Sequence, residues 1–288
     1  MKDDTMKKII KGPCPLVLSD FVSRKPHGTW DDFCDDTHRK HKTQQQIFSD
    51  QRGICAYCEI QMADALTDGL EQESVGSLRR NDFRVEHFHP KKDRSDHSNN
   101  WALDWRNLLG VCCGGDERFV FVPERFAQKE DGKSDSQNHH CDSKKREKIL
   151  DGKILNPLEI PAFPCLWKII RDSSREKVFL QPDNNACNAV GSNILIRAQN
   201  SLDELNLNCD LLAGFRWHAI LAIRKRVQDY RGKGKSYDEA LKIVMKQTFD
   251  NTPDIDGTLP NWPSFFTTIR AYFGRFAEDR LHAINYEG

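Results

Sequence analysis

The 288 residues carry 43 basic and 43 acidic side chains, so no net field advertises a polyanionic partner, and any nucleic-acid contact must come from a local basic patch. No apolar run approaches the ~20 residues that cross a bilayer, and the basic, polar stretch from Met1 to Gly12 lacks the apolar segment of a signal peptide. A cytoplasmic, reducing location follows, with no membrane partner, and there closely spaced cysteines among the ten bind metal or do redox work rather than form disulfides.

Residues 1–46 read as an arm with scattered apolar anchors (Leu16, Val17, Leu18, Phe21, Trp30, Phe33) that ends in a polar helix over Thr37–Gln46. Residues 47–155 hold the clustered cysteines and histidines. Within them a polar insertion lies at about 124–138; its Gln128–Asn138 part has no apolar side chain and is expected to be solvated and without structure. Residues 156–288 read as a mostly helical domain. It opens with a hairpin, Trp167–Ile170 and Lys177–Leu180 about a polar turn. A helix follows with Leu211, Leu212, Phe215, Ile220, Ile223 and Val227 near helical period and a stop at Gly232. Ser236 and Glu239 form a capping box for the next helix, and one final helix after Pro263 carries Phe266, Ile269, Phe273 and Phe276 on one face. Cys14, Cys34, Cys165, Cys187 and Cys209 stand alone and read as small buried residues.

Four short elements carry chemistry. In Cys55-Ala56-Tyr57-Cys58 the two-residue gap places both sulfurs on one tetrahedral ion from a tight turn, although a redox pair has the same spacing. A structural zinc needs a second pair, which Cys141 and either Cys112 or Cys113 supply, with the polar insertion looping out between them. Val85-Glu86-His87-Phe88-His89-Pro90 sets a carboxylate beside an imidazole before a proline that ends a strand. In a regular strand Glu86 and His87 point to opposite faces, and only a strand end or bulge draws them together; the bland alternative is a satisfied surface histidine. Asn107 enters the apolar run Leu108–Cys112, which is costly unless its amide is used. Cys141-Asp142 opens a helix with a carboxylate next to a proposed zinc ligand, and Lys144, Lys145 and Arg146 follow as candidate phosphate contacts or a solvated face.

In this order CAYC, VEHFHP, NLLGVC and HCDSKK resemble the HNH family of ββα-metal nucleases over about residues 47–155. The stretches MKKIIKGPCP, TWDDF, QRGICAYCE, DWRNLLGVC and SLDELNLNCDLL further resemble the HNH subunit that accompanies an ABC-type ATPase in Septu and Septu-like retron anti-phage systems. The resemblance implies an α+β, mainly helical fold, with a zinc-braced ββα-metal core between the arm and the helical domain. By position it makes His87 the general base, Glu86 and Asp142 the ligands of a catalytic magnesium or another divalent ion, and Asn107 the holder of the loop bearing His87. It prefers Cys112 over Cys113, completing a zinc set of Cys55, Cys58, Cys112 and Cys141. The chain departs from the family pattern in having Asp at the last ligand position, with His139 or His140 as substitutes. The implied partners are a nucleic-acid substrate, DNA or tRNA, an ABC-type ATPase docked on the C-terminal helices, and a retron reverse transcriptase with its msDNA. A non-catalytic zinc-finger binding module and a Cys55/Cys58 thiol oxidoreductase are the competing readings.

Overall fold

The computed structural model describes residues 6–62, 83–93, 95, 98–116, 127–129 and 133–288. Three helices come first: α1 (Leu16–Arg24), α2 (Trp30–Cys34) and α3 (Thr37–Asp50). Thr29 and Asp32 form a reciprocal capping box on α2, and the Asp36 carboxylate accepts from His38 and Arg39 at the start of α3, so both starts are written locally in the sequence. The polar helix expected over 37–46 continues to Asp50 because Ile47 finds a core, made with Leu18, Phe21, Trp30, Phe33, Trp105 and Leu108.

Strands β1 (Phe83–His87) and β2 (Leu108–Cys112) form an antiparallel pair, with Glu86 opposite Leu109 and His87 opposite Leu108. Every residue of β2 is buried, and α3 lies against it. The approach depends on Gly110: a Cβ there would stand 2.9 Å from Ile47 Cγ2. The Gln51 side chain locks the contact, accepting from Gly110 N at 2.7 Å and donating to Gly110 O at 2.8 Å. The four-residue helix α4 (Asp142–Lys145) turns its side chains to β1, where Arg84 Nη1 reaches Asp142 Oδ2 at 3.3 Å.

The hairpin β3 (Trp167–Asp172) and β4 (Lys177–Pro182) follows as expected, its turn held by the Asp172 carboxylate accepting from Ser174 and Arg175. Six helices complete the chain: α5 (Asn184–Val190), α6 (Ile194–Glu204), α7 (Asp210–Gly232), α8 (Tyr237–Thr248), α9 (Phe266–Phe273) and α10 (Arg275–Ala283). The Ser236/Glu239 capping box is present, and α7 stops where Gly232 stands. The single final helix is corrected to two. Gly274, at φ +49°, breaks it, so Phe266, Ile269 and Phe273 are buried on α9 while Phe276 begins α10 half-buried.

The polar insertion also departs from expectation. Residues 124–126 and 130–132 lie outside the described residues, but Gln128 bridges Ser134, and Ser136–Asn138 makes a turn of 3-10 helix capped by Asp135. Asn138 Oδ1 then accepts from Leu211 N at 2.9 Å. Asp, Ser and Asn side chains order such a segment by bonding backbone, without a hydrophobic face. Of the lone cysteines, Cys187 and Cys209 are buried, while Cys14, Cys34 and Cys165 are only half-buried. No helix of the described residues is long and apolar enough to cross a membrane.

Candidate metal centre and active site

The first pair of cysteines sits on a knuckle whose backbone needs positive φ at Arg52, Gly53 and Glu59. Cys55 N donates to Ile60 O and Glu59 N to Cys55 O, which closes the turn. Cys112 ends β2, and Cys141, itself at φ +53°, precedes α4. The sulfurs of Cys55, Cys58, Cys112 and Cys141 lie within 4.8 Å of one another, all buried. Cys55 and Cys141 are 3.9 Å apart, and Cys58 and Cys112 3.6 Å. Tetrahedral coordination at ~2.3 Å sets sulfurs about 3.8 Å apart, so the cluster fits a structural metal ion. Cys113 stands outside the set; its carbonyl accepts from Ser143 Oγ at 2.9 Å.

Around the sulfurs lie His140 and Arg216. His140 donates from Nδ1 to Asn138 O at 2.9 Å, which turns Nε2 to within 3.6 Å of Cys112 Sγ; Cys209 Sγ is 3.9 Å from the same Nδ1. Arg216 of α7 is 1% exposed, and its Nε and Nη1 have no hydrogen-bond acceptor. Burial lowers its pKa, opposed by the nearby sulfurs of Cys58 and Cys209 and by Glu59. A buried guanidinium so placed offsets the net negative charge of four thiolates around a dication.

The second group of residues is built on β1. Glu86 and Arg84 share one strand face, toward α4; alternation places Val85 and His87 on the other. Glu86 is buried, and burial first, then the charge of Asp142, push its carboxyl up to about 8. Lys145 Nζ lies 2.7 Å from Glu86 Oε1, a buried ion pair. Asp142 is held by Arg84, which also pairs with Asp116. His87 is 7% exposed: its Nε2 donates to Ala102 O at 3.1 Å, and its ring meets the edge of Trp30 at 5.1 Å. Burial lowers its pKa to about 4, leaving a neutral imidazole at physiological pH.

Asn107 uses three of its bonding positions. Oδ1 accepts from His89 N at 2.7 Å, and Nδ2 donates to His89 O at 2.8 Å and to Trp101 O at 2.7 Å. The amide thus ties the turn that follows β1 to the segment carrying Ala102. His89 is committed elsewhere, between Asp93 and Asp151 at 2.9 Å each, and stacked on Trp101.

No family model matches the chain. A protein of Escherichia coli named "Retron Ec83 putative HNH endonuclease" is 30% identical over 226 residues, which cover 73% of this chain and 78% of that protein. The chain belongs to the HNH endonuclease family.

In this HNH endonuclease the sequence-predicted residues separate into two groups. The four cysteines converge, and Glu86 and Asp142 meet across β1 and α4, while His87 faces Trp30 and Ala102 on the other side of the strand. His139 and His140 stand apart from the carboxylates, the former bonded to Ser134 Oγ and the latter turned to the sulfurs. Among the proposed phosphate contacts, Lys144 and Arg146 are exposed, but Lys145 is 1% exposed and pairs with Glu86, since α4 turns that side chain inward. Arg84 was legible as a neighbour of Glu86 from the two-residue spacing. Asp116 and Arg216 gave no local signal, because only the tertiary fold brings them near.

Proposed function

We propose that this endonuclease hydrolyses phosphodiester bonds of nucleic acid with one divalent ion, magnesium by donor chemistry, held by Glu86 and Asp142 on one face of β1, and with His87, the last residue of that strand and on its other face, as general base, the phosphate lying across the strand end. The observation that carries the reading is the pair of carboxylates at β1 and α4, Glu86 buried and raised by the charge of Asp142, with the Lys145 ammonium 2.7 Å from Glu86 Oε1 as the cation that a divalent ion would displace. Two adjacent carboxylates repel unless a cation or proton joins them, and hard oxygen donors suit magnesium. When bound, the ion supplies charge neutralisation at the phosphate and at the departing oxygen. His87 spends its Nε2 proton on Ala102 O, so the Nδ1 lone pair is the one free to accept a proton from water. Asn107 is a positioning residue: it fixes the loop on which the base depends. Lys144 and Arg146 are the phosphate contacts, and zinc in the Cys55, Cys58, Cys112 and Cys141 cluster braces the whole.

The test is His87→Ala in protein shown to be folded with its zinc content unchanged. Loss of a general base lowers turnover about 10²–10⁴-fold; wild-type cleavage by the folded variant refutes the assignment. A zinc-binding module without catalysis would need neither Glu86 nor Asp142, and the carboxylate pair disfavours it. The convergence of all four sulfurs likewise disfavours a Cys55/Cys58 redox couple, which would need only two.

The relative's name places that protein in a retron, and the sequence likeness to Septu-type subunits agrees with a defence setting. This chain is therefore read as the effector nuclease of an ATPase-associated anti-phage system, acting on DNA or tRNA beside a reverse transcriptase and its msDNA. Copurification with an ABC-type ATPase, lost when exposed residues of the C-terminal helices are changed, is the expected result.

A further inference from the structure

A cavity of about 510 Å³ is lined by Trp30, Lys91, Lys92, Asn100, Trp101 and Ala102 among others. Its size falls in the range of small-ligand sites. Two of its walls are the groups that hold the imidazole: Trp30, edge-on to the ring, and Ala102, whose carbonyl takes the Nε2 proton. Trp101 is fixed from below by its stack on His89, at 4.1 Å between ring centres, and by the Asn107 bond to its carbonyl. Its Nε1 is buried without a partner, so the ring contributes apolar and π surface here rather than a hydrogen bond. Lys92 reaches solvent with 77% of its side chain exposed, and Lys91 is held loosely, 3.5 Å from an Asp31 that is itself 87% exposed. The other carboxylate of the wall, Asp93, is engaged by His89 and Ser95.

Fixed indoles next to ammonium groups held only by long surface pairs, Lys91 with Asp31 at 3.5 Å and Lys92 with Glu147 at 3.9 Å, suit an aromatic base joined to a phosphate. A base inside a duplex cannot enter a concave pocket without leaving its stack. We propose that this cavity receives one unpaired nucleotide of a single-stranded segment, its base against the indole surface and its phosphate at Lys91 and Lys92, and so selects unpaired nucleic acid. The proposal rests on the nuclease reading only for the identity of the polymer.

The experiment measures binding of the full-length protein, without added divalent ion, to a fluorescein-labelled ten-residue DNA strand, the same strand in RNA, and the matching DNA duplex. A second set of strands carries one 2-aminopurine as a stacking reporter. The wild type should prefer either single strand over the duplex and quench the 2-aminopurine. Trp101→Leu should weaken single-strand binding about tenfold and abolish the quench, the scale expected of one stacked base. Trp101→Phe, which keeps a π face, should retain most of both. Lys92→Ala, at an exposed position, should weaken single strands severalfold in protein with an unchanged melting temperature. Equal losses on duplex and single strand, or no loss in folded Trp101→Leu and Lys92→Ala, would overturn the proposal. The ratio of DNA to RNA affinity identifies the sugar preferred. Tryptophan-dependent quenching without cleavage under any metal would leave the pocket standing and remove the nuclease mechanism. Cleavage of duplex and single strand alike by Trp101→Leu would do the reverse.

Discussion

At the scale of single residues, Asn107 and Glu86 show how a polar group becomes tolerable inside an apolar hairpin. Asn107 satisfies two backbone groups of His89 and one of Trp101. Asn107→Ala would strand them, lowering stability by about 2–3 kcal/mol in a urea melt and reducing cleavage, with zinc content preserved. Burial and the charge of Asp142 raise the Glu86 pKa to about 8 from an ordinary 4.5, against the opposing pull of Lys145. A raised carboxyl favours the fold while protonated; that contribution is whole below about pH 4.5 and is lost as pH rises through about 8. A divalent ion binds the ionised form and competes with the proton. The rise in melting temperature on adding magnesium should therefore grow between pH 6 and pH 8, and a rise that ignores pH would count against Glu86 as a ligand.

Among the elements, the meeting of β2 and α4 at the sulfur cluster decides how the hairpin and the short helix stay together. With only four residues, α4 has little helical stability of its own. Its position depends on Cys141 entering the cluster and on Cys141 N donating to Leu205 O. Cys141→Ser should lose stoichiometric zinc, release Asp142 from the Glu86 side of β1, and abolish cleavage. Cys113→Ser, outside the four sulfurs, should keep its zinc, as read by metal analysis of the purified protein; equal zinc loss in both variants would remove Cys112 from the ligand set. The register of β1 was readable from alternation, since Arg84 and Glu86 share a face. That His87 would turn to Trp30 was not, because Trp30 comes from α2, far away in sequence.

Across the whole molecule, the knuckle joins segments that are remote in sequence. Arg52 donates to Pro260 O and Asn251 Oδ1 and lies over the Trp262 ring at 3.5 Å, while Glu59 accepts from Lys7 N and Thr267 N. The core around the cysteines includes Leu202, Leu205 and Leu207 near the end of α6 and Leu212 of α7. Removing the metal should accordingly lower the cooperative melt of the whole chain rather than loosen one loop, because ligand binding to the native state is linked to folding. Arg216→Met, unbranched and uncharged, should speed zinc transfer to a chromogenic chelator by about tenfold or more, the size expected when a supporting partner of a metal site is lost. An unchanged rate would mean that Arg216 does not balance the thiolate charge.

Local chemistry determined much of this protein in advance. Caps placed the helix starts at Thr29, Asp36 and Ser236, alternation placed the strands, and two close cysteines announced a metal turn, since each of these depends on neighbours a few residues apart. The fold alone decided that Lys145 points inward and that Gly274 splits the last helix, while the preference for Cys112 over Cys113, already given by the family spacing, is met in the sulfur cluster. The fold also decided that Trp30, Trp101 and two lysines line one cavity. Those outcomes depend on which distant surfaces come into contact, and the energy of burial and charge pairing that selects them is not written in any short stretch of chain.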